Sequence, residues 1–456
     1  MIQTILIAIP GLAALIECIL QGPEQAFLDV FIPVLLLLPE YSWPLSGQFS
    51  FADTAILPIS AFLVFSSRRK WSFNSIDLVV IAYVAITVIA EGTNKGYKLG
   101  SQNLALQELA SILLPYFAAK HMFRYPQFAV AIAKRIAVLL AIVAMVSVYE
   151  FRLGSDLFTR LFQGVFPQVN TTVFRAGFMR TQGPYGHAIT LGVMMVMGFR
   201  IVRWLEWNGG WEGRMPFLPV SKVRFCELWI AAGSFMSLSF GPLVSAACGA
   251  VIISVCRAKN RRRALVSLIL IVGLVGVPAY SAFKSYISVD LSVARKAGDR
   301  LQEDSAYRNK LMPLYIPVVE ERPTWGWGRN GFPVMEGMSS IDNTYLLTAL
   351  TFGVYALILQ VVLFVWLPIR LAIFSLPLRR SDPRTLAAFS MIGIYVLNVV
   401  MDGTASYGGT PWRLFFIIAG WTAALLEAPV PKTAEARNDA AVARPQTHYG
   451  FRKVMA

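Results

Sequence analysis

Cysteine and histidine are scarce in this 456-residue chain, which has four cysteines (Cys18, Cys226, Cys248, Cys256) and three histidines (His121, His187, His448). Every cysteine falls in an apolar run and no Cys/His pair has metal-ligand spacing. Neither a disulfide framework nor a metal centre is expected, and no cofactor is implied. Charge is sparse too, at 15% of residues against 56% hydrophobic, and the first Lys or Arg is Arg68. With no charged segment before the first apolar run and no small-residue cleavage site after it, that run is expected to stay as a helix rather than be removed as a signal.

What the chain has instead is a succession of long apolar runs, near 2–20, 27–39, 51–67, 76–92, 106–121, 128–150, 185–203, 226–240, 242–257, 264–283, 343–369, 385–401 and 411–427. They are too long and continuous for barrel strands, so the fold class expected is all-α, a polytopic membrane protein of about 12–13 helices, with 27–39 short for a full crossing. The formal charge of +15 invites a nucleic-acid reading. The basic residues, however, sit in short loops, so the bilayer is the expected partner and nucleic acid is not. Those loops (Arg68 to Lys70; Lys120 and Arg124; 200–224; Arg257 to Arg263; Arg370 to Arg384) alternate on one side, which the positive-inside rule assigns to the cytoplasm. Segments 151–184 and 284–342 are then external, and the second carries eight basic and eight acidic residues. The N-terminus is external by parity alone.

Residues 1–427 form one membrane domain in this reading, and the Ala- and Pro-rich stretch 428–456 is expected to be a disordered cytoplasmic tail. Lys432, Arg437, Arg444, Arg452 and Lys453 within it either touch anionic lipid or are simply solvated. In the larger external loop Leu291, Ala294, Gly298 and Leu301 recur at helical spacing, predicting a surface-lying amphipathic helix with Arg295 and Arg300 solvated. Arg308 follows, then Val318, Glu320-Glu321-Arg322-Pro323, the Trp325-Gly326-Trp327-Gly328-Arg329 turn, Gly331-Phe332, and Asp342-Asn343-Thr344-Tyr345 at the head of the next apolar run.

That order of residues resembles the O-antigen ligase and O-antigen polymerase family of membrane glycosyltransferases. The segment Phe178-Met179-Arg180-Thr181-Gln182-Gly183-Pro184-Tyr185-Gly186-His187, the turn Ser237-Leu238-Ser239-Phe240-Gly241 and the early run Leu35 to Tyr41 agree with it. Two departures stand out. The family commonly has His-Asn-x-Tyr where this chain has Asp342-Asn343-Thr344-Tyr345, and Ser-Arg-Gly where it has Ser239-Phe240-Gly241. The resemblance implies a helical glycosyltransferase of the bacterial inner membrane with a periplasm-facing cavity. Its donor would be a polyprenyl-diphosphate-linked oligosaccharide, its acceptor another glycan, and its partners a chain-length regulator or flippase.

Transfer from such a donor releases a multiply charged diphosphate, which suits guanidinium groups, and needs a base for the attacking hydroxyl. The expected catalytic residues are Arg180, Arg308 and Asp342. Asp342 has a competing role as a helix N-cap. His187 and Arg175 are candidates for phosphate contact, His187 equally for proton transfer or a buried hydrogen bond. Arg329 is a further phosphate candidate, and Asn343 and Tyr345 are acceptor or loop-fixing contacts. Trp325 and Trp327 are either a sugar platform or interfacial anchors, and Asp402 with Arg413 is expected to be an ion pair at the external helix ends. Polymerisation of lipid-linked repeat units is the preferred function because the usual motif histidine is absent. Ligation to lipid A core, a shape, elongation and division type of peptidoglycan polymerase, and a transporter or flippase are the alternatives. A transporter would show repeated halves and midplane charges, which the sequence does not.

Overall fold

The computed structural model describes residues 2–427 except 41–48, 66–70, 97–99, 167–173, 176, 217, 272, 275–277, 279–280, 282–283, 285–290, 298–299 and 339. The expected tail and Arg68 to Lys70 therefore lie outside the described residues. The molecule is a helical bundle whose only described sheet is a two-stranded hairpin. Seven described helices are long and apolar enough to cross a membrane: Ile2–Leu20, Ser75–Lys95, Pro126–Leu153, Ala188–Trp207, Phe240–Arg257, Val354–Ser375 and Pro383–Asp402. Other helices, among them Phe51–Phe65, Lys222–Met236 and Thr410–Glu427, pack between them.

Burial separates a core from a rim. Ala188–Trp207 and Pro383–Asp402 each bury 83% of the residues in an 18-residue stretch, and the same packing covers nearly all of Thr410–Glu427. Ile2–Leu20, Phe240–Arg257 and Val354–Ser375 instead turn residues such as Ile16, Val251 and Ile369 outward. Apolar side chains on the outside are what a lipid-facing helix requires, because lipid solvates them as well as protein does. Arg203, Arg224, Arg257 and Arg380 gather near one end of the bundle, around Glu206, Glu227, Trp207 and the Lys259 carbonyl. His187, Ser239 and Asp402 occupy the opposite helix ends.

Several runs read as single helices are broken. The run read at 27–39 opens on a π turn at Phe27–Phe31, and that read at 106–121 contains another at Leu109–Leu113. The run 343–369 is two helices, Thr344–Phe352 and Val354–Ser375, parted at Gly353, whose φ of 84° suits glycine. The break has a partner. Trp327 N–H donates to the Leu350 carbonyl at 2.8 Å, Gly328 N–H to Thr351 at 2.9 Å, and Val354 N–H to Pro323 at 2.7 Å. The Trp-Gly-Trp-Gly turn is thus a backbone plug that satisfies the carbonyls freed at the break.

In the segment of the expected amphipathic helix, Leu291–Ala297 is helical with Leu291 buried, and Arg300–Glu321 is a second helix. The expected Asp402–Arg413 pair is not formed. Arg413 Nη2 lies 3.0 Å from Asp53 Oδ1 and Oδ2 and its Nη1 pairs with Glu40, whereas Asp402 accepts a bond from Gln360 Nε2 at 3.0 Å. Asp53, from Phe51–Phe65, is the nearer carboxylate, and a charge buried in the bundle takes whichever opposite charge reaches it.

A Cβ on Gly326 (φ 60°) would sit 2.6 Å from the Leu350 and Thr351 carbonyl oxygens, while one on Gly337 (φ 78°) would meet open space. Gly337→Ala should therefore cost only the backbone term, about 1–2 kcal/mol. Gly326→Ala should cost about 3 kcal/mol or more, by adding a clash and undocking the turn. Thermal unfolding of the purified proteins followed by tryptophan fluorescence separates the two, and equal midpoints would rule out the plug.

Candidate functional site

The site begins at the hairpin, in which Phe174 pairs with Met179 and Arg175 with Phe178. It presents Arg175, and Arg180 directly after it, to the turn between Lys222–Met236 and Phe240–Arg257. Arg175 Nη1 donates to the Leu238 carbonyl at 3.0 Å, and its guanidinium lies 5.6 Å from the Phe240 ring centre. Arg180 Nη2 donates to Ser239 Oγ at 2.7 Å and its Nε to the Ser237 carbonyl at 3.3 Å. Leu238 has φ 46°, the left-handed region that costs a leucine about 1–2 kcal/mol, and this conformation accompanies two successive carbonyls engaged by arginines.

Ser239 Oγ accepts from Arg180 and donates to the Ser237 carbonyl at 3.2 Å, and it makes no cap bond to the helix it precedes. The first-turn N–H groups of Phe240 and Gly241 are left at a cavity that both residues line, so a helix N-terminus adds to the positive potential there. Arg300–Glu321 brings Asp304 and Arg308 to the same cavity. Asp304 Oδ2 accepts from Arg175 Nη2 at 3.2 Å, while the buried Arg308 Nε has no hydrogen-bond partner among the described residues.

Asp342 completes the wall. Its Oδ1 accepts from Ser340 Oγ at 2.7 Å, and Ser340 is held through its backbone by the Tyr307 hydroxyl. The helix cap belongs to its neighbour: Asn343 Oδ1 accepts from Leu346 N–H at 3.0 Å and Asn343 Nδ2 donates to the Gly403 carbonyl at 3.2 Å. Thr344 Oγ1 bonds the Ala405 carbonyl at 2.8 Å and the Tyr345 hydroxyl that of Val399 at 3.1 Å. Of the two roles open to Asp342 from sequence, capping is filled by Asn343. Asn343 and Tyr345 take the loop-fixing role.

His187 opens onto the cavity, and its Nδ1 accepts from Ile189 N–H at 3.1 Å as the cap of Ala188–Trp207. A neutral ring in that position carries its proton on Nε2, so it faces the cavity as a donor rather than as a base. Packing of protein around the ring and then the charge of Arg180 hold it below the usual histidine range, against the pull of Asp342. Arg180 itself is pushed down to about 10, by burial first and by Arg175 and Arg308 with it, and stays charged at neutral pH. The cavity measures about 220 Å³ and holds Arg175, Arg180, His187, Arg308 and Asp342 together.

Three sequence candidates lie elsewhere. Arg329 is committed to Glu91 (Nε to Oε1 3.1 Å) and Gln107 (2.8 Å) and lines a different cavity. Trp327 donates from Nε1 to the Val318 carbonyl at 3.0 Å with the Arg322 guanidinium 4.2 Å from its ring centre, and Trp325 meets Tyr355 edge-on. Both rings belong to the packing of the docked turn. Asp304 was missed from sequence because it looked like one more charge on a solvated helix face, and only the fold brings it to Arg175.

Residues 227–361 match the family model described as O-antigen ligase. No curated protein matches the chain. The ligase-like segment contains the 237–241 turn, Arg308, the docked glycine turn and Asp342. Arg175, Arg180 and His187 reach the cavity from outside it. The chain is thus a polytopic helical membrane protein, and its segment 227–361 is similar to O-antigen ligases.

The division of labour between neighbours can be checked by stability. Asn343→Ala should lower the unfolding free energy by about 1 kcal/mol through loss of the cap, whereas Asp342→Asn should leave it within about 0.5 kcal/mol. Equal losses in a thermal denaturation series would return the cap to Asp342.

Proposed function

We propose that this protein transfers a glycan from a polyprenyl diphosphate to a sugar hydroxyl, polymerising lipid-linked repeat units at the periplasmic face of a bacterial inner membrane. The observation that carries the reading is the convergence of Arg175, Arg180 and Arg308 with Asp342 on one cavity. The acceptor oxygen attacks the anomeric carbon. The bond from that carbon to the diphosphate oxygen breaks, the electron pair leaves with the diphosphate, and the hydroxyl proton passes to the Asp342 carboxylate. The arginines and the first turn of Phe240–Arg257 stabilise the departing charge, and His187 Nε2–H supplies one more donor.

The cytoplasmic side is assigned to the end where Arg203, Arg224, Arg257 and Arg380 gather, which turns the cavity toward the periplasm and leaves the C-terminus in the cytoplasm. Ligation of finished polymer to lipid A core is the second reading, favoured by the description of the matched family. A chain-length regulator or flippase is a partner on the strength of resemblance.

The test is surface-glycan and lipid profiling of a strain lacking this chain, complemented with wild type or variants. Single repeat units in the deletion strain indicate polymerisation, polymer stranded on its carrier indicates ligation, and an unchanged profile rejects both. Arg308→Ala and Arg180→Ala should each lower transfer by about 100-fold or more. Asp342→Asn should lower it by about 100-fold to 10,000-fold at unchanged protein level. Wild-type transfer in all three would sink the assignment.

A further inference from the structure

A second cavity, of about 390 Å³, lies on the other side of the Asp342–Thr344 segment. Thr344 lines it, and the Thr344 hydroxyl bonds the carbonyl of Ala405, which lines the arginine cavity. Its volume falls in the range of small-molecule sites, about 300–1,000 Å³. Its walls combine aromatic faces with amides and hydroxyls: Trp412 stacked on Tyr83 (6.3 Å, 8°), Phe332, Gln107, Ser111 and Thr348.

The charges of this cavity decide what it takes. Arg329 is neutralised by Glu91, and Arg413 by Asp53 and Glu40. Gln107 Oε1 accepts from Arg329, which turns its amide N–H groups to other partners. A further acid in the wall has an oxygen without a hydrogen bond. Glu108 Oε2 is buried in the wall with no hydrogen-bond partner among the described residues. A buried carboxylate oxygen needs a donor, and a phosphate or an acidic sugar beside it would be repelled. A neutral, hydroxyl-rich ring supplies donors to Glu108 and an apolar face to the aromatic wall.

We infer that the second cavity is a neutral-glycan subsite, separate from the diphosphate cavity and joined to it at Asp342–Thr344. This rests on the glycan-transfer reading. The sugar comes either from the donor's own oligosaccharide or from the acceptor. Neutral sugar and anionic diphosphate are thereby sorted into cavities of opposite local charge before they meet at Asp342.

The test uses the full chain in lipid nanodiscs with one reporter cysteine per cavity, Ser111→Cys in the second and Ser305→Cys in the first, and follows protection from maleimide. The probes are bare polyprenyl diphosphate, lipid-linked glycan extracted from a strain lacking this chain, and the oligosaccharide released from it. Released oligosaccharide should protect Ser111→Cys alone and bare polyprenyl diphosphate Ser305→Cys alone. Glu108→Gln should raise the oligosaccharide concentration needed about tenfold without moving the polyprenyl diphosphate value. Saturating intact lipid-linked glycan distinguishes the sources: protection of Ser305→Cys and Ser111→Cys together marks the donor's sugar, and protection of Ser305→Cys with Ser111→Cys still open until released oligosaccharide is added marks an acceptor site. Failure of the released oligosaccharide to protect Ser111→Cys, while polyprenyl diphosphate protects Ser305→Cys, overturns the subsite alone. Failure of polyprenyl diphosphate at Ser305→Cys overturns the diphosphate reading and the subsite with it.

Discussion

A guanidinium buried in a membrane protein keeps its charge, and the groups that satisfy it decide whether that charge is cancelled or left over. The bundle shows both outcomes. Arg413 is closed by Asp53 and Glu40, and Arg329 by Glu91, so each acts as a tie between elements. Arg180 is held by the Ser237 carbonyl and the Ser239 hydroxyl, which are neutral, and Arg308 Nε is held by nothing described. Arg175 divides itself between the Leu238 carbonyl and Asp304. Positive potential therefore survives in the first cavity, where burial and then the charges of Arg175 and Arg308 lower the proton affinity of Arg180. The left-handed Leu238 lies at the centre of this arrangement.

The acid opposite is placed by a different device. Asn343, Thr344 and Tyr345 all bond to backbone carbonyls at or just beyond the end of Pro383–Asp402, one of the two most buried long helices. The helix they open is only nine residues long because Gly353 ends it. Its freed carbonyls are met by the Trp-Gly-Trp-Gly turn, which belongs to the same external segment as Arg308. Arg308 and Asp342 thus share one piece of backbone scaffolding, although 34 positions separate them in the chain. A short helix pinned at both ends fixes a side chain better than a free loop does, which a catalytic constellation needs.

Hydropathy made the helical class legible, because apolar length is a property of each run by itself. It did not reveal the breaks at Gly353 or the π turns, since hydropathy is blind to backbone phase. Arg175, Arg180, His187, Arg308 and Asp342 were legible as chemistry in polar segments beside apolar runs, and the fold brings them to one cavity. Arg329 and the Asp402–Arg413 pair were judged by what neighbours them in sequence, whereas Glu91, which engages Arg329, and Asp53, which takes Arg413, come from elsewhere in the chain. Glu108 stayed hidden for the same reason, as one acid inside a long apolar run.

The replacement of histidine by aspartate at position 342 of the family pattern has an electrostatic logic under the proposed transfer. A neutral histidine that takes the acceptor proton becomes a cation, and here it would do so among Arg175, Arg180 and Arg308. A carboxylate that takes the same proton becomes neutral and adds no positive charge to the cluster. The histidine that is present, His187, is committed at Nδ1 to the Ile189 N–H and offers only a donor to the cavity. The second departure runs the same way, since Phe240 stands where the family pattern has arginine and its ring lies against Arg175 without adding a charge. Both departures lower the positive charge of a site that already concentrates three guanidinium groups and a helix N-terminus. Proton acceptance and leaving-group stabilisation are then carried by groups of opposite sign, so that strengthening one does not weaken the other.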